Sequence, residues 1–156
     1  SVLRDQIVAR LQSELATQTA AAHLARDEAI SEESKPENKY DTHSIEASYL
    51  AEGQARLAGE IQDSIAFYQS LSLPEFRPTD AIAIGAIVET ESNGRTARYF
   101  VGPRAGGLEI SSGGHTVLVL TPQSPLGRLL LGRRAGDTVS LPGRGAAVRH
   151  RIARVE

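Results

Sequence analysis

The sequence contains no cysteine, no long apolar run and few aromatic residues. Without cysteine the chain forms neither a disulfide nor a thiolate metal site, which is typical of a protein from a reducing compartment. No stretch approaches the roughly 20 consecutive apolar residues that a membrane-spanning helix needs. The N-terminal "SVLRDQIVAR" carries charges where a signal peptide has its apolar centre. We therefore expect a soluble, cytoplasmic protein that does not contact a membrane.

Charge is distributed unevenly along the 156 residues. Residues 1–73 hold 12 acidic and 6 basic side chains, a net charge of −6. Residues 78–156 hold 6 acidic side chains and 10 arginines, a net charge of +4. Such a division indicates two units with different partners.

Glycine and proline are absent from Val2 to about Glu32, and proline is absent again from about Thr42 to Leu71. Both stretches are rich in helix-forming residues, so we predict two helices of about 45 Å at ~1.5 Å per residue. Apolar or small side chains recur at helical spacing in each. In the first stretch they are Val8, Leu11, Leu15, Gln18, Ala22, Ala25 and Ala29, and in the second Leu50, Leu57, Ile61, Ile65 and Tyr68.

These two helices predict an antiparallel hairpin over residues 1–73. Matched length and a short connection favour pairing, and each helix offers one narrow apolar stripe. Gly53 and Gly59 weaken the second helix, and close approach to the alanine-rich first helix is the expected compensation. The alternative is that both helices pack flat on a globular core.

The connection between the helices is acidic. It reads "ISEESKPENKYDTH", and Pro36 ends the first helix nearby. Five carboxylates crowd this tip, which we place near residues 32–43: Glu32, Glu33, Glu37, Asp41 and, just beyond, Glu46. Acidic side chains at a helix C-terminus oppose the helix dipole, so this cluster suggests an external cation. The alternative is solvated loop charge.

The remaining chain predicts a small α+β domain. "SLPEFRPTD" carries two prolines, and we interpret residues 74–80 as a linker. Over residues 81–156, "DAIAIGAIVETE", "RTARYFVG", "LEI", "TVLVLT", "DTVSL" and "AAVRHRIARV" are strand candidates. Asn93-Gly94 predicts a hairpin turn and Pro142-Gly143 a second turn. A mostly antiparallel sheet follows.

One short helix is predicted within this domain. In "SPLGRLLLG", Ser124 is an N-cap candidate, Pro125 suits the first helical position and Gly132 lies just past the end. The surrounding positive charge could serve an acidic protein surface or nucleic acid.

Two motifs resemble the bacterial GreA/GreB transcript-cleavage factors. They are "PEN" at the tip of a helical hairpin and "SPLGRLLLGRRAGDTVSL" in the basic domain. The resemblance covers essentially the whole chain. It implies an α+β protein with an N-terminal antiparallel coiled-coil hairpin, followed by an FKBP-like antiparallel β domain with one short helix.

The resemblance also implies a function in transcription elongation. Gre factors bind RNA polymerase and pass the hairpin down its secondary channel. The tip carboxylates then help to hold the second Mg²⁺ and a water in the polymerase's own active centre, where backtracked RNA is hydrolysed. Such a protein is an accessory factor rather than an enzyme, has no cofactor of its own, and meets nascent RNA only indirectly.

The tip residues match the family pattern in part. That pattern reads Gly-Asp-Leu-x-Glu-Asn-x-Glu-Tyr. Glu37 and Asn38 match its Glu-Asn pair, whereas Ser34 falls where the Asp belongs. Glu37, Asp41 and Glu33 are therefore the candidate catalytic acids acting in trans, with Glu37 and Asp41 as the shared Mg²⁺ ligands. A factor that occupies the channel without stimulating cleavage is the alternative.

The candidate polymerase-binding residues lie in the second motif. They are Ser124, Pro125, Leu126 and Arg128, supported by Arg133 and Arg134. For Leu129 and Leu130 we expect core packing instead.

Two other functions remain open. A prolyl isomerase would need an aromatic pocket, and the second domain offers only Tyr99 and Phe100. A dimerising coiled coil would associate in solution, whereas the Gre resemblance implies a monomer.

Overall fold

In the computed structural model, residues 1–33, 42–142 and 144–156 are described. The chain divides into two compact units. One comprises Ile7–Ser70, and the other comprises Ser1–Gln6 together with Leu71–Glu156. Within the described residues, no helix combines the length and the apolar character that a bilayer span requires.

Two long helices form the first unit. Helix α1 (Val2–Glu33) has 32 residues and α2 (Thr42–Ser70) has 29, which confirms the two predicted helices to within about a residue. The eight residues between them reach at most about 28 Å, too short to return along a helix of this length. Within one compact unit the helices are therefore antiparallel, as predicted.

Each helix buries one narrow stripe. In α1, Leu11 and Ala25 are buried, and Leu15, Gln18 and Ala22 are half-buried. This is the predicted seam from Leu11 to Ala22 and Ala25, but at its start Ile7 is fully buried and the predicted Val8 only half-buried. The side chain of Ala29 lies outside the described residues.

The predicted stripe of α2 is correct only near its C-terminal end. Ile65 and Tyr68 are buried there, but Leu50 and Leu57 are 54% and 44% exposed. Gln54 and Ala58 are more buried than these two leucines. The predicted stripe was wrong at Leu50 and Leu57 because the buried side of α2 includes small and polar residues there, and the two leucines point to another side of the helix.

The glycines of α2 do not make a close approach. A Cβ built on Gly53 or Gly59 would meet no heavy atom within 4 Å, apart from the helix's own nearby backbone. The expected compensation by close contact with α1 is therefore wrong. Both positions have room for a side chain.

A six-stranded sheet and one short helix form the second unit. The strands are β1 (Ile87–Ser92), β2 (Arg95–Val101), β3 (Glu109–Ser112), β4 (His115–Leu120), β5 (Thr138–Leu141) and β6 (Val148–Val155). Their order in the sheet is β3-β4-β2-β1-β6-β5. Helix α3 (Pro125–Leu130) lies between β4 and β5 in the chain. The α+β class is confirmed.

The sheet is mixed rather than purely antiparallel. Four of its five described pairings are antiparallel, but β2 and β4 pair in parallel. After β2 the chain crosses to one edge of the sheet and forms β3 there. It then returns as β4, which lies between β3 and β2. The prediction of a mostly antiparallel sheet is confirmed, and the parallel pairing joins two strands that are not neighbours in the chain.

Turn residues fix the start of the sheet. Asn93 and Gly94 have φ values of 50° and 71°, so the predicted hairpin between β1 and β2 is confirmed. The predicted long strand "DAIAIGAIVETE" begins only at Ile87, because Gly85 has a φ of 99° and interrupts the extended chain. The predicted turn at Pro142-Gly143 includes Gly143, which lies outside the described residues.

Both faces of the sheet are covered within this unit. The main core lies on the face that α3 covers, and its largest buried side chains are Ile82, Val88, Val101, Leu130, Ile152 and Val155. Phe100, Val117 and Val119 are buried outside that cluster. Leu3 lines clefts with Val117 and with Phe100, so the first turn of α1 covers the second face.

Two hydrogen bonds hold that first turn in place. The Arg4 guanidinium donates to the carbonyl of Leu71 at 3.1 Å, and the Gln6 side-chain amide donates to the carbonyl of Ser111 at 3.2 Å. Ser111 lies on the edge strand β3. Residues 1–6 are therefore part of the β unit, although they begin a helix that the sequence assigns to the hairpin.

Candidate functional site

The acidic tip falls in the connection between α1 and α2. Helix α1 ends at Glu33 and α2 begins at Thr42. Glu37 and Asp41 lie outside the described residues, and so does the side chain of Glu33. The last turn of α1 contains no basic residue, so nothing within that turn offsets the acids at this helix end. The catalytic and Mg²⁺-binding roles of these acids stay predictions.

The turn before α3 is the second predicted site. Ser124 is the N-cap, with an extended backbone (φ −66°, ψ 151°). Its Oγ accepts a hydrogen bond from the Gly127 N–H at 3.0 Å and donates one to the Thr121 carbonyl at 2.8 Å. Pro125 follows at the first helical position. The predicted cap is confirmed, and it makes this turn rigid.

Gly127 is required by the same turn. A Cβ at this position would lie 2.0 Å from the carbonyl oxygen of Thr121 and 2.9 Å from Ser124 Oγ. The clash with the backbone oxygen leaves no room for any other residue. The glycine of the "SPLGR" motif therefore has a structural cause, independent of any partner.

The predicted polymerase-binding residues divide into exposed and packed side chains. Pro125, Arg128 and Arg133 are exposed. Leu126 packs partly against the main core. The guanidinium of Arg134 donates a hydrogen bond to the carbonyl of Thr79. Arg134 thus supports the fold although it is also exposed, and Pro125, Arg128 and Arg133 are exposed as well.

The two leucines expected in the core are found there. Leu130 is fully buried, and Leu129 is partly buried against the same cluster. Their role in packing is confirmed.

Segment 76–82 contributes to this site, which the sequence analysis missed. The Ile82 N–H donates to the Arg133 carbonyl at 2.8 Å, and the Gly132 N–H donates to the Ile82 carbonyl at 2.8 Å. Phe76 packs against the main core with the leucines of α3. The two prolines favoured a linker, but the apolar Phe76 and Ile82 could have indicated a packed segment.

Charged side chains on the second face of the sheet are paired with one another. Glu89 lies between Arg98 on β2 and Arg154 on β6 in the strand register. Arg98 Nε lies 2.7 Å from Glu89 Oε2, and Arg154 Nε lies 2.5 Å from Glu156 Oε1. These residues line a cleft of about 220 Å³ beside Leu3. Its charges balance internally, so the cleft offers no net attraction for an ion.

Tyr99, in the interior of the β unit, has a shifted pKa. Burial raises the pKa of Tyr99, and the nearby Thr90 hydroxyl partly opposes that shift. Thr90 is fully buried, and its Oγ1 has no partner in full hydrogen-bond geometry. Among the described residues, no group of His, Asp or Glu side chains could hold a metal ion.

An FKBP-type proline pocket finds no support in the aromatic residues. Tyr99 and Phe100 are only 9% and 1% exposed, so neither presents a ring to a substrate. Phe76 packs against the main core.

Comparison with solved structures finds similar chains over most of this one. The GreA factor homolog 1 (Gfh1) of Thermus thermophilus is 22% identical over 96% of this chain and 94% of that chain, with a TM-score of 0.40. Gfh1 of Thermus aquaticus is 22% identical over 95% and 92%, with a TM-score of 0.43. The prokaryotic elongation factor GreA/GreB from Nitrosomonas europaea is 19% identical over 61% and 78%, with a TM-score of 0.37.

No protein-family model matches the chain, and no curated protein matches it. At such identities and TM-scores, a functional assignment must come from the residues of this chain.

Proposed function

We propose that this chain is a Gre-type transcription factor that binds bacterial RNA polymerase and inserts its helical hairpin into the secondary channel. The observation that carries this proposal is that two helices, of 32 and 29 residues, are joined by eight residues that include Glu37 and Asp41. A helix of 32 residues is about 48 Å long, so a carboxylate beside its C-terminal end lies about 48 Å from the start of the helix.

The chemistry of the proposed reaction suits such a tip. A two-metal site stabilises both the attacking and the leaving oxygen of a phosphodiester. Mg²⁺ keeps most of its waters and takes only one or two carboxylates, so an acid supplied by a second protein can complete a weakly held site. Glu37 and Asp41, with Glu33 as a further candidate, would hold the polymerase's second Mg²⁺ and orient the attacking water.

In this proposal the chain contributes carboxylates and the polymerase contributes everything else. Water attacks the phosphorus of backtracked RNA, and the 3′ oxygen of the upstream nucleotide leaves. The chain therefore acts as an accessory factor without a cofactor of its own. It meets RNA only at the polymerase active centre.

The basic β unit would provide the docking surface. Its capped turn presents Pro125 and Arg128 at a rigid position, and Arg133 is exposed just beyond α3. A rigid contact costs less conformational entropy on binding than a mobile one.

A factor that occupies the channel without cleavage is the second candidate. It is favoured by one feature of the tip: Ser34 stands where the Gre pattern has an Asp. Lys39 adds a positive charge within the same connection. Both reduce the negative charge available to a metal ion.

The experiment that separates these functions uses a stalled, backtracked RNA polymerase complex with Mg²⁺. Added protein is expected to shorten the RNA. Glu37→Ala, Asp41→Ala and Glu33→Ala would identify the acid, and Glu52→Ala, an exposed acid within α2, is the matched control. Binding without shortening would support the second candidate, and absence of binding would contradict both.

A further inference from the structure

An arginine-rich surface lies where segment 76–82 runs beside the end of α3. Backbone hydrogen bonds join Ile82 to Arg133 and to Gly132, each at 2.8 Å. The guanidinium of Arg134 reaches across to the Thr79 carbonyl. These contacts place the segment that precedes the sheet against the residues that follow α3, among them Arg133 and Arg134.

Arg77, Arg128 and Arg133 on these two stretches expose their charge, as does Arg134, whose guanidinium also donates to the Thr79 carbonyl. The side chain of Arg77 is 85% exposed, and Arg128 and Arg133 are also exposed. Among the described residues, the guanidinium groups of Arg128 and Arg133 have no acidic partner. Arg77 Nε lies 3.7 Å from Asp80 Oδ2, a long and solvated ion pair that leaves the charge accessible.

The backbone of Arg77 is held in position although its side chain is exposed. Its N–H donates to Asp80 Oδ2 at 2.9 Å, and its carbonyl accepts from the Asp80 N–H at 2.9 Å. The preceding Phe76 packs against the main core. Arg77 therefore projects from an anchored turn, as a docking residue should.

We propose that Arg77, Arg128 and Arg133 form one docking surface, the basic surface, and that it binds an acidic protein surface. This inference rests on the proposed function and extends it: Arg77 becomes a polymerase contact, and the contacted polymerase surface carries carboxylates. Guanidinium groups bind carboxylates through paired, charge-assisted hydrogen bonds, which makes arginine the suitable residue for such a surface.

A protein partner fits the basic surface better than RNA does. Proteins that bind single strands stack bases on exposed aromatic side chains. Within Leu71–Glu156 the aromatic residues are Phe76, Tyr99 and Phe100. The last two are buried, and Phe76 packs against the core. Beside the arginines Pro78 and Pro125 are exposed, and Pro125 lies in a rigid turn suited to a protein contact.

The test compares charge reversal at two exposed arginines of the full chain. Arg77→Glu is the probe, and Arg95→Glu, just past the Asn93-Gly94 turn, is the matched control. Association with purified bacterial RNA polymerase is measured by surface binding kinetics at low and high salt. We expect Arg77→Glu to slow association about tenfold at low salt and Arg95→Glu by less than about twofold. The difference is expected to shrink at high salt, because salt screens exposed charges.

The outcomes separate this inference from the proposed function. No binding by the unchanged protein overturns the proposed function and this inference with it. Binding that Arg77→Glu and Arg95→Glu affect equally overturns the inference alone, and so does a loss that is the same at all salt concentrations. If labelled single-stranded RNA binds the unchanged protein but does not bind Arg77→Glu, the inference that the basic surface binds a protein is overturned.

A second variant guards against an effect on folding. The turn at Arg77 uses its main-chain N–H and carbonyl, so Arg77→Gln keeps both hydrogen bonds. It is expected to slow association by a smaller factor than Arg77→Glu, with an unchanged thermal unfolding curve. Normal association by Arg77→Gln would contradict the inference.

Discussion

Ser124 combines two roles that a suitable substitution can separate. Its hydroxyl caps α3 through the Gly127 N–H, and the same turn presents the predicted polymerase-binding residues. Asparagine caps a helix about as well as serine, whereas alanine does not cap it.

We expect Ser124→Ala to lower the free energy of unfolding by about 1 kcal/mol and Ser124→Asn to restore most of it. Urea unfolding of both variants measures this difference. If Ser124→Asn is stable but binds polymerase poorly, the serine hydroxyl itself contacts the partner. Equal stability of Ser124→Ala and the unchanged protein would contradict the capping role.

The buried Tyr99 should lower the free energy of unfolding at alkaline pH. Burial raises its pKa above the ordinary value of 10.0, so the unfolded chain releases this proton first as pH rises. The stabilising contribution is complete below pH 10.0 and declines as pH rises from there through the folded pKa. Tyr99→Phe cannot ionise and should lose less stability over that range. Chemical unfolding at several alkaline pH values tests this, and parallel pH profiles of the two proteins would refute it.

At the level of elements, α2 is less stable than its length suggests. Gly53 and Gly59 lie within it, and neither has a neighbour that a Cβ would meet within 4 Å. Glycine costs a helix interior about 1 kcal/mol relative to alanine.

We therefore expect Gly53→Ala and Gly59→Ala each to raise the free energy of unfolding by about 1 kcal/mol, additively in the double variant. Thermal unfolding followed by circular dichroism at 222 nm, the ordinary helix wavelength, provides the measurement. Destabilisation by either alanine would instead support the close helix approach that the sequence suggested.

Element boundaries show how far local patterns reach. The bounds of α1, α2 and α3 follow from proline, glycine and capping residues, which act on their immediate neighbours. The late start of β1 does not follow from such local residues alone, because the turn at Gly85 packs against Pro74. A Cβ added to Gly85 would lie 2.8 Å from the Pro74 side chain. That contact joins residues eleven positions apart.

At the scale of the whole molecule, the apolar side chains of the hairpin bear on its oligomeric state. Large exposed side chains are Val2, Leu24 and Ile30 on α1, and Ile45, Tyr49, Leu50, Leu57 and Phe67 on α2. At 3.6 residues per turn, the pair Ile45 and Tyr49 lies about 110° around the helix from the pair Leu50 and Leu57, and Phe67 is on the side of the first pair but about five turns further along the helix. A dimerising coiled coil needs one continuous seam, which these positions do not provide.

We expect the 16.7 kDa chain to sediment as a monomer at all concentrations tested. Analytical ultracentrifugation over a wide concentration range makes this measurement. An average mass that rises towards a dimer would contradict the monomer and favour the coiled-coil dimerisation function. Leu50→Ser and Leu57→Ser would then show whether these exposed leucines form the contact.

The helices, the capped turn before α3, the hairpin at Asn93-Gly94 and the α+β class could be predicted from the sequence, because those features depend on residues that are close together in the chain. Leu130 could be predicted as a core residue too, since its position follows from the short helix. Three features emerged from the folded chain alone: the parallel pairing of β2 with β4, the exposure of Leu50 and Leu57, and the contact of segment 76–82 with the end of α3. Each of those depends on which distant residues share a surface, and chain entropy and packing settle that choice only when the whole unit folds.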